Sequence, residues 1–208
     1  MTAIIDYGVG NLFSLVSSFQ KIGEDTLITA DNEVLKKADR IILPGVGAFC
    51  DAMDKLNNSG LVPTLKEQIE KGKPVMGICL GMQMLFDRSF EYGEHKGLGF
   101  ISGEVRPISN FVSDLKIPHM GWNSLKIKKE NHPLFKYIKN NECVYFVHSY
   151  CAVNCDDSVI ASAEYGTDIT AAVAKGNVMG CQFHPEKSGN TGLNILRAFC
   201  EMKEGAIC

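Results

Sequence analysis

Short, continuously apolar runs alternate with helical periodicity through the first half of the chain, and few folds accommodate that pattern. Residues 3–5 read as a strand, and residues 11–22 carry Leu12, Leu15, Val16 and Phe19 on one helical face. Residues 40–43 form a second buried strand, closed by Pro44-Gly45. Pro63 fits the first turn of a helix running to Lys71, with Gly72 as its stop. Residues 74–78 are another buried strand, and residues 80–86 a short helix. A strand without polar alternation must be covered on both faces, which a parallel sheet built from βαβ units provides. The second half changes character. Apolar runs at 144–147, 159–163, 170–174 and 178–183 are separated by Gly, Asn and Asp, with Lys175-Gly176-Asn177 as a tight hairpin turn. A helix over 191–202 closes the chain. No repeat or linker interrupts it, so the expectation is one α/β domain over residues 1–208.

Length and charge narrow the function classes. A chain of 208 residues can bury a core without disulfide or metal staples. A net charge of -3 provides no electrostatic footprint for nucleic acid. The one basic cluster, Lys126, Lys128 and Lys129, alternates with Leu125 and Ile127 as on a solvated strand face. No apolar run is long enough to span a membrane, and the start of the chain is not a signal peptide, so a cytoplasmic location is expected. The eight cysteines (50, 79, 143, 151, 155, 181, 200 and 208) are scattered, which favours reduced thiols, most of them small buried hydrophobes. Cys143, His148, Cys151 and Cys155 lie close in sequence but lack the paired C-x-x-C spacing of structural zinc, so no metal site is expected.

Two patterns carry chemistry. Gly77-Ile78-Cys79-Leu80-Gly81 puts a cysteine between glycines at the junction of a buried strand and a helix, the arrangement of a nucleophile elbow. Such a turn strains the nucleophile's backbone and needs small neighbours. It also leaves the sulfur at a helix N-terminus, where thiolate is favoured over thiol. The N–H of Leu80 would face a developing oxyanion. A buried cysteine in a glycine-flanked turn would give the same pentapeptide.

The second pattern, Phe183-His184-Pro185-Glu186, follows an apolar run and so sits at a strand end, where α/β sheets build their sites. Pro185 biases His184 toward extended backbone. Glu186 can accept the Nδ1 proton and leave Nε2 for the thiol, completing a nucleophile–base–orienter set with Cys79. Alone, His184-Pro185-Glu186 also suits a surface turn. A third segment, Leu43-Pro44-Gly45-Val46-Gly47, lacks the lysine of a phosphate-binding loop. Its backbone can instead supply a second oxyanion donor near Gly45 and Val46.

These residues, together with Asp6-Tyr7-Gly8-Val9-Gly10-Asn11, Lys96-Gly97-Leu98-Gly99, His119-Met120-Gly121-Trp122-Asn123 and Tyr145-Phe146-Val147-His148-Ser149-Tyr150, resemble the class I glutamine amidotransferase family. Within it, the resemblance is to the glutaminases of imidazole glycerol phosphate synthases, and it covers nearly the whole chain. It implies a three-layer α/β/α fold with a mixed, mainly parallel central sheet, and no cofactor. It also implies a Cys79, His184, Glu186 triad that releases ammonia from glutamine through a thioester. Gly47, Gln83, Glu91 and the backbone of Ser149 and Tyr150 would hold the glutamine. On sequence alone Glu91 is a helix-end carboxylate, and His148 a strand histidine near the site.

Since no synthase machinery is present in the chain, the resemblance further implies a partner, a (β/α)8-barrel cyclase that receives the ammonia in histidine biosynthesis. Asn11, Trp122, Tyr145 and Lys187 are the interface candidates. One alternative is a paralogue that feeds surface-polysaccharide sugar synthesis, which gene neighbourhood would separate. Peptidase-like relatives carry His directly after the nucleophile, where this chain has Leu80. A non-enzymatic binding protein on the same scaffold would not need the three intact residues.

Overall fold

The computed structural model describes residues 1–205. The first half runs β1 (Thr2–Ile5), α1 (Leu12–Lys21), β2 (Thr26–Thr29), α2 (Asn32–Lys37), β3 (Arg40–Leu43), α3 (Phe49–Asn58), α4 (Val62–Glu70), β4 (Val75–Ile78) and α5 (Leu80–Met84). Then follow β5 (Phe86–Ser89), β6 (His95–Lys96), β7 (Ile101–Pro107), β8 (His119–Ile127), β9 (Cys143–His148), β10 (Tyr150–Val153), β11 (Val159–Glu164), β12 (Asp168–Lys175), β13 (Val178–Cys181) and α6 (Gly189–Cys200).

Nine strands form one mixed sheet in the order β2-β1-β3-β4-β13-β12-β11-β8-β9. The five from β2 to β13 are parallel, and each later neighbour pairs antiparallel. Strand periodicity sorts the parallel half's side chains to two faces. Ile4, Ile42, Met76 and Ile78 point into a core shared with Leu15 and Phe19 of α1 and Ile195, Leu196 and Phe199 of α6. Their neighbours Ala3, Ile5, Ile41, Leu43 and Val75 enter the opposite core with α2 to α5. Both faces are covered, which is why these strands read as unbroken apolar runs. A second sheet, β10-β7-β5-β6, adds Phe86, Ile101, Val105 and Ala152 to that second core.

Most expected elements stand within a residue or two of their predicted ends. Asn11 caps α1, its side chain accepting from the Ser14 N–H at 3.4 Å, and Pro63 lies in the first turn of α4. The closing helix begins and ends two residues earlier than expected. The helix expected over 80–86 stops at Met84, because Phe86 opens β5 and is held in the small sheet by pairing with β7. That sheet, together with β2, α2 and α3, went unanticipated. Lys126 does lie on an exposed strand face, bonded to Glu164 and Asp168. No helix among the described residues is long and apolar enough to cross a membrane.

Candidate active site

The parallel strands β3 and β4 and the end of β13 converge on a cavity of about 470 Å³. Cys79, the residue after β4, has φ 55° and ψ -110°, a conformation that non-glycine residues rarely adopt. It holds because both flanks are fixed. The Cys79 N–H donates to the Cys181 carbonyl at 2.7 Å, and its own carbonyl accepts the Gln83 N–H as α5 begins. The glycines on either side are obligatory for packing. A Cβ at Gly77 would stand 2.5 Å from the Gly81 carbonyl oxygen, and one at Gly81 would overlap the Leu43 carbonyl. Cys79 keeps 8% of its surface exposed, toward the cavity.

His184, 4% exposed, follows β13 in extended backbone and is tied by its N–H to the Tyr145 carbonyl at 2.9 Å. Its Nδ1 lies 2.8 Å from Glu186 Oε1, and the Glu186 side chain is buried in the turn that Pro185 opens. Burial works against the charged imidazole, but Cys79 and Glu186 outweigh it and push its pKa up to about 9. At neutral pH the ring therefore carries a proton that it can donate. The structure thus gathers the three sequence-predicted residues at one place.

The loop after β3 closes over the elbow. Gly45 packs so tightly that a Cβ there would lie 2.6 Å from the Gly81 nitrogen. Val46 is exposed, Gly47 adopts φ 90°, and both line the cavity. Leu80 is buried as the first residue of α5, so its N–H is among the donors without an intrahelical acceptor.

Gln83, Glu91, Ser149 and Tyr150 also line the cavity. Gln83 Nε2 donates to the Tyr150 carbonyl at 3.1 Å and to Gln182 Oε1 at 3.0 Å. With both N–H groups engaged, its Oε1 remains to accept a bond from a ligand. Glu91 is not at the end of its own helix, as the sequence suggested. It lies in the turn after β5, and its Oε2 accepts the Phe49 N–H at 2.6 Å, capping α3. Burial raises its pKa, partly opposed by that bond.

Two features went unmarked in the sequence. Gln182, fully buried between Cys79 and Gln83, lies with Nε2 3.7 Å from Cys79 Sγ. The available signal was a polar residue directly after the apolar run of β13, two residues before His184. The other feature is an imidazole pair. His148 is a buried strand histidine lining the cavity, as expected, and its Nε2 lies 2.9 Å from His119 Nδ1. His148 Nδ1 donates to the Tyr150 carbonyl at 2.8 Å, and burial drives the ring's pKa down to about 3. The neutral ring therefore carries its one proton at Nδ1 and presents Nε2 to His119 as an acceptor.

Trp122, Tyr145 and Lys187 come together. Trp122 and Tyr145 face each other across β8 and β9 with ring centroids 6.0 Å apart, and Lys187 Nζ lies 6.0 Å from the Tyr145 ring centroid. Asn11 caps α1. The cysteines at 143, 151 and 155 do not converge with His148. Cys143 is exposed, while Cys155 Sγ sits 3.9 Å from the Thr170 hydroxyl. Among the described residues no three His, Cys, Asp or Glu side chains are placed to hold a metal. Cys151, Cys155, Cys181 and Cys200 are buried free thiols, and Cys208 lies outside the described residues.

Comparison with known proteins agrees with this arrangement. The family model described as glutamine amidotransferase class-I matches residues 3–202. The chain is 50% identical over 199 residues to the imidazole glycerol phosphate synthase subunit HisH of Lactococcus lactis subsp. lactis, covering 95% of this chain and 96% of that one. It is 52% identical over 205 residues to the same-named subunit of Caldanaerobacter subterraneus subsp. tengcongensis, covering 97% and 98%. Among solved structures, a glutamine amidotransferase superposes with TM-score 0.74 at 18% identity, covering 96% of this chain and 97% of that chain. PurLQS from Thermotoga maritima superposes with TM-score 0.73 at 21% identity, covering 96% of each chain. At those identities the two structures speak for the fold.

Proposed function

The chain belongs to the class I glutamine amidotransferase family, and from that premise we propose that it is the glutaminase subunit of imidazole glycerol phosphate synthase in histidine biosynthesis. The observation that carries this is near-complete, half-identical coverage of HisH subunits by a chain in which Cys79 and His184 line one cavity and Glu186 is bonded to His184.

The geometry suits amide hydrolysis in two stages. Glutamine enters with its ammonium toward Gln83 Oε1 and the Glu91 carboxylate, and its carboxylate toward the Ser149 and Tyr150 backbone. The Cys79 thiolate attacks the side-chain amide carbon. Backbone N–H groups of Leu80 and of the Gly45–Val46–Gly47 loop bind the oxyanion. The amide nitrogen cannot leave as an anion, so the His184 imidazolium protonates it and ammonia departs. Water then adds to the glutamyl thioester, with neutral His184 as base, and glutamate is released. Glu186 holds Nδ1 throughout, so Nε2 is the nitrogen that exchanges protons.

Ammonia set free in bulk water would be protonated and lost as a nucleophile. The subunit therefore works docked to a (β/α)8-barrel cyclase, with Asn11, Trp122, Tyr145 and Lys187 at or near the joint. Cys79→Ala should lower glutamine-dependent synthesis by at least about a thousandfold, while the reconstituted complex still uses added ammonium. Full glutamine turnover by that variant would end the assignment.

A further inference from the structure

Gln182 has no surface exposed, yet every polar group of its side chain is directed at the catalytic machinery. The orientation of its amide is fixed by a chain of bonds that runs one way. Tyr150 offers a carbonyl oxygen, which accepts from Gln83 Nε2 at 3.1 Å. The same nitrogen donates its second proton to Gln182 Oε1 at 3.0 Å. With its oxygen facing Gln83, Gln182 has only its NH2 group to turn toward Cys79, and Nε2 lies 3.7 Å from Sγ. Reversing the Gln182 amide would set two NH2 groups against each other and aim an oxygen at the sulfur. The backbone is held as firmly, since the Gln182 N–H donates to the Ala171 carbonyl at 2.9 Å and the preceding Cys181 carbonyl accepts the Cys79 N–H.

A donor held on sulfur discriminates between its two protonation states. A thiolate is the better acceptor, and a hydrogen bond to the charged form favours that form. We propose that Gln182 is a catalytic residue whose side-chain N–H stabilises the Cys79 thiolate, with its orientation set by Gln83 and Tyr150. The Cys79 proton passes to His184 Nε2 and the electron pair stays on sulfur, where the Gln182 N–H meets it. The proposal rests on Cys79 being the nucleophile.

The test follows iodoacetamide alkylation of the Cys79-containing peptide by mass spectrometry across pH, on the full chain. Gln182→Met keeps the shape and removes the donor. The midpoint of Cys79 alkylation should rise by about one pH unit, a tenfold loss of thiolate at a fixed pH below the midpoint. With the cyclase present, kcat for glutamine should fall more than KM rises. In Gln83→Met, which leaves the Gln182 amide without the donor that orients it, the midpoint should rise as well, and KM should rise with it. A Gln182→Met protein with the unsubstituted midpoint and an unchanged unfolding temperature would overturn the proposal.

Should Gln182→Met fail to fold, the unsubstituted protein supplies the measurement. One side-chain N–H proton resonance of Gln182 should move downfield with the same pH midpoint as Cys79 alkylation, and a resonance indifferent to that titration also overturns the proposal. The underlying function is checked separately. If alkylated Cys79 still supports glutamine hydrolysis, the nucleophile reading fails. If alkylation abolishes hydrolysis while the Gln182 readouts do not move, only the role of Gln182 is lost.

Discussion

His184 shows how two neighbouring side chains set the charge of one imidazole. Its pKa of about 9 comes from Cys79 and Glu186 acting against burial. A base whose folded value lies above the unfolded one stabilises the fold fully below the unfolded value, about 6.5 for histidine. That stabilisation is lost as pH rises through about 9. Urea unfolding should therefore show stability falling between pH 7 and 9.5, and His184 Cε1–H should titrate near 9 by NMR. Cys79→Ala removes one of the two groups that hold the charge, so the imidazole should titrate lower and the alkaline fall should shrink. An imidazole at its ordinary value in both proteins would dissolve the pairing. These three residues were legible in the sequence because an elbow and a His-Pro-Glu turn each constrain backbone as well as chemistry. Gln182 was not, since a glutamine ending a strand shows neither its burial nor the sulfur it meets. Glu91 was misplaced because only the fold brings its turn to the start of α3.

At the scale of elements, the elbow depends on close crossings of backbone. Gly81 lets α5 pass against the end of β3, where a Cβ would overlap the Leu43 carbonyl oxygen. Gly180 of β13 is also crowded, but there the neighbour is the Met82 side chain. A backbone carbonyl at the end of a buried strand cannot yield, whereas a new Met82 rotamer would move Cγ away and leave its Cβ, 2.9 Å from the added methyl, to be relieved by a small shift of the chain. Gly81→Ala should thus cost about 3 kcal/mol in urea unfolding and displace the Cys79 turn. Gly180→Ala should cost about 1 kcal/mol and keep most activity. Equal losses would mean that the crossing at Gly81 is not the rigid one.

The same contrast explains which elements could be read in advance. Strands β1, β3, β4 and β13 lie between two covered faces and appear as plain apolar runs. Helix α3 carries Phe49, Ala52, Met53 and Leu56 at helical spacing and was open to recognition. Strands β5, β6 and β7 pair in a half-exposed sheet with mixed composition, so no periodicity announces them.

For the whole molecule, the remaining question is how the cavity meets its partner. Strand β8 leaves Met120 at 60% and Trp122 at 57% exposure, two residues apart and so on one face. It starts next to Pro118, which lines the cavity. Across from it stands Tyr145, and Lys187 bridges that ring to the cavity wall. A large aromatic side chain held open to water beside a reactive site contributes little to the isolated fold. Buried at the centre of an interface, it can contribute at least about 2 kcal/mol to binding. Trp122→Ala should accordingly change unfolding stability by no more than about 0.5 kcal/mol. It should weaken association with the proposed barrel cyclase about thirtyfold by calorimetry, since 2 kcal/mol corresponds to that factor in an equilibrium constant. Coupled synthesis from glutamine should drop at limiting partner concentration and recover when the cyclase is in excess, because the triad itself is untouched. If binding were unchanged and stability fell instead, Trp122 would belong to the fold, and the docking face would have to be sought elsewhere around the cavity mouth.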